Sequence, residues 1–182
     1  GINPVDVKRR LGARGGLAAA RVVPHFDGAG VIEAVGEGVS PERVGERVWI
    51  FGGQWQRDWG TAAECMALAS RQAVALPDAV GFPEASCLGI PALTAHRAVW
   101  IGGAVEGDTI LVTGGAGAVG RYAVQFAKMG GARVLATVSS DEKARSAREA
   151  GADVVINYRT EDVVSRIREE AGAVDKIVEV EF

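Results

Sequence analysis

The sequence predicts an α/β protein in which a parallel sheet wrapped by helices follows a smaller, mainly-β region. From Gly107 onward, apolar strand-like runs alternate with amphipathic helix-like stretches. A glycine-rich turn joins the first of these strands to the first of these helices. Before Pro77, short apolar runs lie between glycine-rich turns, which is typical of an antiparallel or barrel-like domain. These three observations together define the fold class.

The second region is predicted to contain four strands and three helices. The strands are expected at residues 109–113, 133–138, 153–157 and 176–180. The first helix has one apolar stripe, which consists of Val119, Tyr122, Ala123, Phe126 and Ala127. Ser139 and Thr160 are the predicted N-caps of the other two helices. Strict alternation with short loops implies a parallel sheet with right-handed crossovers.

The first region is predicted to form short strands followed by helices. The strands are expected at residues 31–35, 48–51, 64–68 and 73–76. A helix is predicted to open at Pro83, because proline is tolerated in a first helical turn. Pro91 is expected to interrupt the helical stretch, and a second helix is expected from about Ala92 to Trp100.

Composition and charge argue against several classes of function. The net charge is −3 and no block of Lys or Arg is present, so nucleic acid is not the expected partner. The apolar runs are short, and neither a membrane span nor a signal peptide is predicted. Cys65 and Cys87 lie far apart in the sequence, which favours neither a disulfide framework nor a cysteine zinc site. A reducing, cytoplasmic location fits this cysteine usage.

The clearest chemical signal is the glycine-rich turn after residues 109–113, where Gly115, Gly117 and Gly120 form G-x-G-x-x-G. In such a turn the glycines allow a tight bend, close approach of a diphosphate and close helix packing, while the helix N-terminus offers N–H groups. We predict that this segment binds a dinucleotide through Gly115, Ala116, Gly117, Ala118, Val119 and Gly120. The alternative is a tight turn without a ligand.

The end of the second strand predicts which dinucleotide is preferred. NAD-binding folds usually place a carboxylate there, bonded to the ribose hydroxyls. Here Val138 ends the strand, and Ser139 and Ser140 follow it. A 2′-phosphate would meet no repulsion at that point, and Lys143 could donate a charge-assisted bond to it. The sequence therefore favours NADPH, with Ser139 and Lys143 as contacts, although Lys143 could also be a solvated surface lysine.

Several segments occur in a fixed order along the chain. They are Asn3-Pro4-Val5-Asp6, residues 27–36 (DGAGVIEAVG), residues 44–48 (VGERV), residues 89–95 (GIPALTA) and the glycine-rich turn. Together they resemble the medium-chain dehydrogenase/reductase superfamily, and within it the zinc-independent, zeta-crystallin-like quinone oxidoreductases. The resemblance covers essentially the whole chain.

This resemblance implies a GroES-like, mainly-β catalytic domain at residues 1–90 and a Rossmann NADP-binding domain at residues 91–182, with the active site in the cleft between them. It implies that the chain is truncated: the first strands, the second half of the Rossmann sheet and the C-terminal return to the catalytic domain would be missing. NADPH would donate hydride to a quinone or a related α,β-unsaturated carbonyl. A homodimer is the expected assembly.

The resemblance also implies roles for individual residues. Asn3 and Thr94 are the candidate catalytic residues; they would orient the nicotinamide carboxamide or the acceptor by hydrogen bonds and would not act as acid or base. The alternatives are a turn residue ahead of Pro4 and an ordinary helix hydroxyl. Lys143 and Tyr158 match positions that contact the 2′-phosphate in such enzymes.

No metal site is predicted. Zinc-dependent relatives have Cys where this chain has Asn3, and His-Glu where it has Phe26-Asp27, whereas a catalytic zinc needs three protein ligands. His25 stands where the family commonly has Gly, so its backbone must accept a side chain there. Lys8 and His96 stand where tyrosines occur in relatives, which puts the quinone assignment in more doubt than the cofactor.

Two other functions stay open on this reading. One is a 2-alkenal or enone reductase that accepts quinones poorly. The other is a noncatalytic NADPH-binding structural protein of the crystallin type. A glycine-flanked loop at residues 52–60 carries Trp55 and Trp59, which would either line the substrate mouth or pack on the protein body or a partner subunit.

Overall fold

The computed structural model describes residues 1–12 and 20–180, and its contacts divide the chain into two compact units, Gly1–Ile90 and Pro91–Phe182. The first unit contains an antiparallel sheet and the second a parallel sheet. The predicted α/β fold class, with a mainly-β part ahead of a parallel sheet, is therefore confirmed.

The first unit is built around a three-stranded sheet. Its elements are α1 (Pro4–Arg10), β1 (Gly28–Val31), β2 (Arg47–Ile50), β3 (Ala73–Ala75) and α2 (Phe82–Ala85), with 3-10 turns at Pro41–Arg43 and Ser70–Gln72. Strand β2 is central and pairs antiparallel with both neighbours. Along β2 the side chains of Val48 and Ile50 are buried and those of Arg47 and Trp49 are less so, as the two-residue period of a strand requires.

The strand predictions for this unit are partly wrong. Strand β1 overlaps the predicted segment 31–35 only at Val31. After Val31, Ile32 still exchanges backbone bonds with Gly45 and Glu46. Residues 64–68 have irregular backbone and form no strand. An apolar pattern alone does not supply a partner strand, and pairing decides whether such a segment becomes a strand.

Helix α1 is an element that the sequence analysis missed. Its local signals are nevertheless strong: Asn3 is the N-cap, Pro4 begins the helix and Asp6 lies in the first turn. The Asp6 carboxylate accepts the Asn3 backbone N–H at 2.7 Å, which satisfies one polar group at the start of the helix. The sequence analysis assigns no element to residues 4–10 and considers a turn only as the alternative role of Asn3.

The second unit is a four-stranded parallel sheet with helices on both faces. Its elements are α3 (Gly89–Trp100), β4 (Thr109–Val112), α4 (Ala118–Met129), β5 (Arg133–Val138), α5 (Asp141–Glu149), β6 (Val154–Asn157), α6 (Val163–Ala171) and β7 (Lys176–Val178). Helix α3 starts in the first unit at Gly89 and continues into the second. The strand order is β6-β5-β4-β7, so the predicted strand–helix alternation is confirmed.

Both faces of this sheet are covered by apolar side chains. On one face Ile110 and Val134 belong to the main core, together with Ala123 and Ala127 of α4. On the other face Leu111, Leu135 and Ile156 form a smaller cluster, against which Val163 and Ile167 of α6 pack. Burial on both faces explains why the strands read as continuous apolar runs and not as alternating ones.

Three details of the helix starts differ from the predictions. Ser140, not Ser139, is the N-cap of α5 and accepts the Lys143 N–H at 3.3 Å. Asp162, not Thr160, caps α6 through a 2.7 Å bond from the Ser165 N–H. In each case two polar side chains stand near the start, and the one directly ahead of the first helical residue makes the cap.

Pro91 lies inside the first turn of α3 and does not interrupt that helix, because the N–H groups of a first turn need no helical hydrogen bond.

Candidate functional site

The glycine-rich turn lies at the corner between β4 and α4, as the sequence predicts. It rests on the end of β5, because the Gly114 N–H donates to Thr137 Oγ1 at 3.1 Å and the Gly115 N–H donates to the Thr137 carbonyl at 2.9 Å. Gly114 has φ of +58°, in the left-handed region that favours glycine. Two bonds to the neighbouring strand therefore fix the position of the turn.

The three glycines of the G-x-G-x-x-G pattern have different surroundings in this corner. A Cβ on Gly115 would lie 2.7 Å from Ala136 Cβ, so this glycine lets the turn pack on β5. A Cβ on Gly120 would collide with the Gly114 carbonyl oxygen and lie 2.8 Å from its carbon, so this glycine lets the helix pack on the turn. A Cβ on Gly117 would have one close neighbour, the Gly114 oxygen at 3.2 Å.

The N–H groups of the turn divide into occupied and unoccupied ones. Gly115 and Gly117 donate to the protein itself, Gly117 to the Gly114 carbonyl at 2.8 Å. Within the described parts of the chain, no bond is made by the N–H groups of Ala116, Ala118, Val119 and Gly120. The last three form the first turn of α4, where the positive end of the helix dipole also lies. This corner is thus suited to an anionic ligand.

The residues predicted to contact the 2′-phosphate surround the end of β5. Lys143 Nζ donates to Ser139 Oγ at 3.0 Å, so the lysine folds back over the residue that follows the strand. The Tyr158 N–H donates to the Val138 carbonyl at 3.1 Å, and the Tyr158 side chain is 51% exposed. The fold therefore brings Ser139, Lys143 and Tyr158 to one strand end, beside the turn that rests on Thr137.

The two candidate catalytic residues lie in different units. Thr94 is exposed on α3, in the second unit. Asn3 is 7% exposed and caps α1, in the first unit. Its amide Nδ2 donates to Asp27 Oδ2 at 2.6 Å. Asn3 is therefore more than a turn residue, because its side chain belongs to a buried polar cluster.

Asp27 is the centre of that cluster and is only 1% exposed. Its Oδ1 accepts the Ile90 N–H at 2.9 Å, and its backbone carbonyl accepts Thr61 Oγ1 at 2.6 Å. Burial raises the pKa of Asp27 above the ordinary value, and the bonds from Ile90 and Asn3 offset part of that effect. The sequence analysis discusses Asp27 as a residue that stands where zinc-dependent relatives have a Glu. It does not predict the contact with Ile90, which lies 63 residues away.

Asp6 adds a second buried carboxylate next to this cluster. Its Oδ2 accepts the Asn3 backbone N–H, whereas its Oδ1 is buried and has no partner among the described residues. The negative charge of Asp6 also acts to raise the pKa of Asp27. Two carboxylates and one amide thus lie together in a small volume of the first unit.

Two residues that depart from the family pattern, His25 and His96, and the two tryptophans of the loop at residues 52–60 have the following environments. His25 adopts φ of +82°, so a side chain occupies a left-handed position that glycine would hold without strain. Trp55 and Trp59 are 64% and 57% exposed. His96 packs against Trp100 and Phe126, at ring-centre distances of 4.5 and 5.6 Å.

Among residues 1–12 and 20–180, no three His, Cys, Asp or Glu side chains form a group able to hold a metal ion. In the same part of the chain, no helix has the length and hydropathy needed to span a membrane.

The glycine corner and the parallel sheet around it define the second unit as a Rossmann-type, nucleotide-binding fold. Models of known protein families match both units of the chain. Residues 1–90 match the alcohol dehydrogenase GroES-like domain, and residues 118–180 match the zinc-binding dehydrogenase family. The chain belongs to the medium-chain dehydrogenase/reductase superfamily.

Within that superfamily, quinone oxidoreductases are prominent among the similar proteins. The quinone oxidoreductase of Rattus norvegicus is 35% identical over 99% of this chain and 54% of its own length. An alcohol dehydrogenase of Geobacillus stearothermophilus is 33% identical over 86% of this chain and 53% of its own length. The structure of Escherichia coli quinone oxidoreductase complexed with NADPH has a TM-score of 0.78 and 32% identity, over 94% of this chain and 52% of that one. The chain thus spans about half the length of the relatives it matches.

Proposed function

We propose that the chain is the cofactor-binding part of an NADPH-dependent oxidoreductase that transfers hydride, without zinc, to quinones or related electron-poor carbonyl acceptors. The observation that carries the proposal is the pairing of two features of the second unit. One is the set of unoccupied N–H groups at the start of α4, and the other is a strand end that carries Lys143. A phosphorylated dinucleotide has an anionic group for each.

The proposal gives each candidate residue of the second unit a part of NADPH to contact. The diphosphate would accept bonds from the first turn of α4, at Ala118, Val119 and Gly120, with Ala116 ahead of them. Gly115 and Gly117 would contribute the absence of a side chain and not their N–H groups. Ser139, Lys143 and Tyr158 would surround the 2′-phosphate. Asp141 and Glu142 lie in the first turn of α5 and not at the strand end, so no carboxylate there would repel the phosphate. The bound cofactor supplies the hydride; the chain supplies position and charge.

We propose that residues 1–90 serve as the catalytic domain and residues 91–182 as the NADP-binding domain. Asn3 would hold the nicotinamide carboxamide or the acceptor by a hydrogen bond, and Thr94 would do the same with its exposed hydroxyl. Neither group is a strong acid or base, so the protein's contribution to the reaction would be orientation. The product oxyanion would take its proton from water.

Zinc independence is supported by what occupies the positions that carry ligands in zinc-dependent relatives. Asn3 and Asp27 are bonded to one another, and the second carboxylate oxygen of Asp27 is already held by the Ile90 N–H. Phe26 is buried and offers no ligand atom. The site is therefore filled by its own hydrogen bonds. A cytoplasmic location and a homodimer complete the proposal.

The test is an assay of the natural protein at its full length. NADPH and NADH are supplied in turn, each with a quinone, a 2-alkenal and no acceptor, before and after treatment with a chelator. The proposal expects oxidation of NADPH in preference to NADH, faster turnover of the quinone and no effect of the chelator. Faster turnover of the alkenal would make the protein an enone reductase. Turnover that a chelator abolishes and zinc restores would place it with the zinc dehydrogenases, and tight NADPH binding without turnover would indicate a structural protein.

A further inference from the structure

Asp27 is a buried carboxylate that the proposed chemistry does not use. Its polar atoms accept bonds from separate parts of the first unit: Asn3 at the start of α1, Ile90 at the start of α3, and Thr61 in the loop between β2 and β3. A carboxylate held in this way costs free energy to bury. Its position beside a candidate catalytic amide calls for a functional explanation.

An ionised carboxylate dictates which way the Asn3 amide points. A carboxylate accepts hydrogen bonds and donates none, so only the Nδ2 end of the amide can face it. In the present orientation Asn3 Nδ2 donates to Asp27 Oδ2 at 2.6 Å. In the reversed amide Asn3 Oδ1 would take the place of Nδ2, and two acceptor oxygens would repel each other at that distance. One Nδ2 hydrogen is used in this bond, and the amide keeps its second hydrogen for another partner. Its carbonyl oxygen faces the Asp6 backbone N–H in the capping box at the start of α1.

The carboxylate itself has no freedom to move. Oδ1 is fixed by the Ile90 N–H in the first turn of α3, where the helix dipole also favours a negative charge. Gly89 packs directly against it: a Cβ at that position would collide with Oδ1 and lie 2.6 Å from Cγ. Asp27 is thus anchored to the protein on one side and holds Asn3 on the other.

We propose that Asp27 is a positioning residue for hydride transfer, which acts by fixing the orientation in which the Asn3 amide meets its ligand. This inference rests on the proposed function, because the ligand is the nicotinamide carboxamide or the electron-poor acceptor. Asp27 touches neither and works only through Asn3. A residue that fixes a ligand-binding group in one geometry affects the rate more than the affinity of the cofactor.

The test compares Asp27→Asn and Asp27→Ser with a matched control in the natural, full-length protein. In Asp27→Asn the new amide has one acceptor oxygen for two N–H donors, so either Ile90 or Asn3 loses its bond or the Asn3 amide turns over. In Asp27→Ser the side chain is one bond shorter and has no carboxylate, so it holds neither the Asn3 amide nor the Ile90 N–H as Asp27 does. The control is Thr61→Val, which removes the bond to the Asp27 backbone and leaves the carboxylate in place.

The expected result is a split between rate and binding. Both Asp27 variants should lower kcat with the quinone by about ten- to a hundred-fold, while the NADPH dissociation constant and the circular dichroism spectrum match those of the natural protein. Thr61→Val should keep its kcat. Loss of kcat in Thr61→Val equal to that in Asp27→Ser would overturn the proposal, since general damage to the cluster would then explain both.

A double-mutant cycle with Asn3→Ala gives the second readout. If Asp27 acts only through Asn3, Asp27→Ser should change kcat by less than about two-fold in the Asn3→Ala background. An equal fall of kcat in both backgrounds, or unchanged kcat in folded Asp27→Ser, contradicts the positioning role. Either result leaves the proposed function intact as long as the natural protein oxidises NADPH, whereas a natural protein that turns over no acceptor removes the proposed function itself.

Discussion

The two units place their functional groups in different ways. In the second unit the groups suited to a ligand are mainly backbone N–H groups at the start of α4, and their exposure follows from where a strand ends and a helix begins. In the first unit they are side chains, Asn3 and Asp27, brought together from positions 24 residues apart. Backbone sites are encoded by local patterns, whereas side-chain sites depend on the whole tertiary arrangement. Substitution of a glycine in the backbone site should therefore act through folding, whereas substitution of Asn3 or Asp27 should act through orientation.

The sharpest test of the backbone site is Gly120→Ala. The three atoms nearest to the added Cβ would be backbone atoms of Gly114 and Gly115, which cannot move aside as the end of a flexible side chain can. We expect the free energy of unfolding to fall by about 3 kcal/mol, as in severe overpacking, and NADPH binding to be lost with it. Chemical denaturation followed by circular dichroism measures the change.

Gly36→Ala is the matched control for that substitution. A Cβ on Gly36 would meet no atom within 4 Å, and its φ is not positive. Its stability should stay within about 0.5 kcal/mol of the natural protein. If Gly120→Ala is as stable as Gly36→Ala, the close helix–turn contact is not what the corner requires.

Lys143→Ala tests the charge at the end of β5. Removing one charge-assisted bond to the 2′-phosphate should weaken NADPH binding about ten-fold, or about 1.4 kcal/mol, and leave NADH binding unchanged. Isothermal titration of both nucleotides measures the two constants. Arg148→Ala, an exposed cation at the other end of the same helix, is the control and should affect neither nucleotide. Equal weakening of NADPH and NADH would show that Lys143 does not contact the phosphate.

His25→Gly tests stored strain in the first unit. Its φ of +82° costs a side-chain-bearing residue about 1 kcal/mol relative to glycine. We expect His25→Gly to raise the free energy of unfolding by up to that amount, and His25→Ala, which keeps the strain, to give no gain. Denaturant midpoints of the two variants measure this difference. Identical midpoints would mean that the backbone at residue 25 carries no strain.

Asp153→Asn tests a peripheral ion pair of the second unit and should have the smallest effect. Asp153 accepts bonds from Lys128 Nζ at 2.8 and 2.9 Å and from the Val134 N–H at 2.7 Å. Partial burial acts to raise the pKa of Asp153, but these bonds outweigh it and hold the pKa below the ordinary value of 3.8.

A carboxyl whose pKa is lowered in the folded state stabilises the fold above its unfolded pKa and stops doing so as the pH falls through the folded value. Asp153→Asn should therefore cost less than about 1 kcal/mol at pH 7, with the difference shrinking as the pH falls below 3.8. Urea unfolding across that pH range measures it, with the exposed Glu106→Gln as the control. A difference that grows on acidification would contradict the assignment.

The contrast between the units also explains how far the sequence alone reaches. The predicted strand 133–138 coincides with β5, and the other parallel strands are found with shorter ends, because buried strands and amphipathic helices are local patterns. Ser140 and Asp162 displaced the expected caps, since neighbouring polar residues compete for one position. In the first unit α1 was missed and the strand at 64–68 does not form.

The site shows the same division. Residues 115–120 could be placed at a strand–helix corner from the glycine spacing, the apolar strand before it and the amphipathic helix after it. The occupation of the Gly115 and Gly117 N–H groups could not be predicted. Nothing in the sequence around Asp27 indicates that its carboxylate meets Ile90, 63 residues later. Such a contact is fixed by how Gly89 lets the start of α3 approach, which is a property of tertiary packing.

Amide hydrogen exchange resolved to single residues tests the central claim most directly. In the nucleotide-free protein the N–H groups of Ala118, Val119 and Gly120 have no acceptor among the described residues and should exchange fast. Saturating NADPH should slow exchange at these three residues, more than at Val163 and Val164, whose N–H groups at the start of α6 also have no acceptor among the described residues. Protection that appears elsewhere while residues 118–120 still exchange at their original rate would show that the diphosphate is not held at this corner.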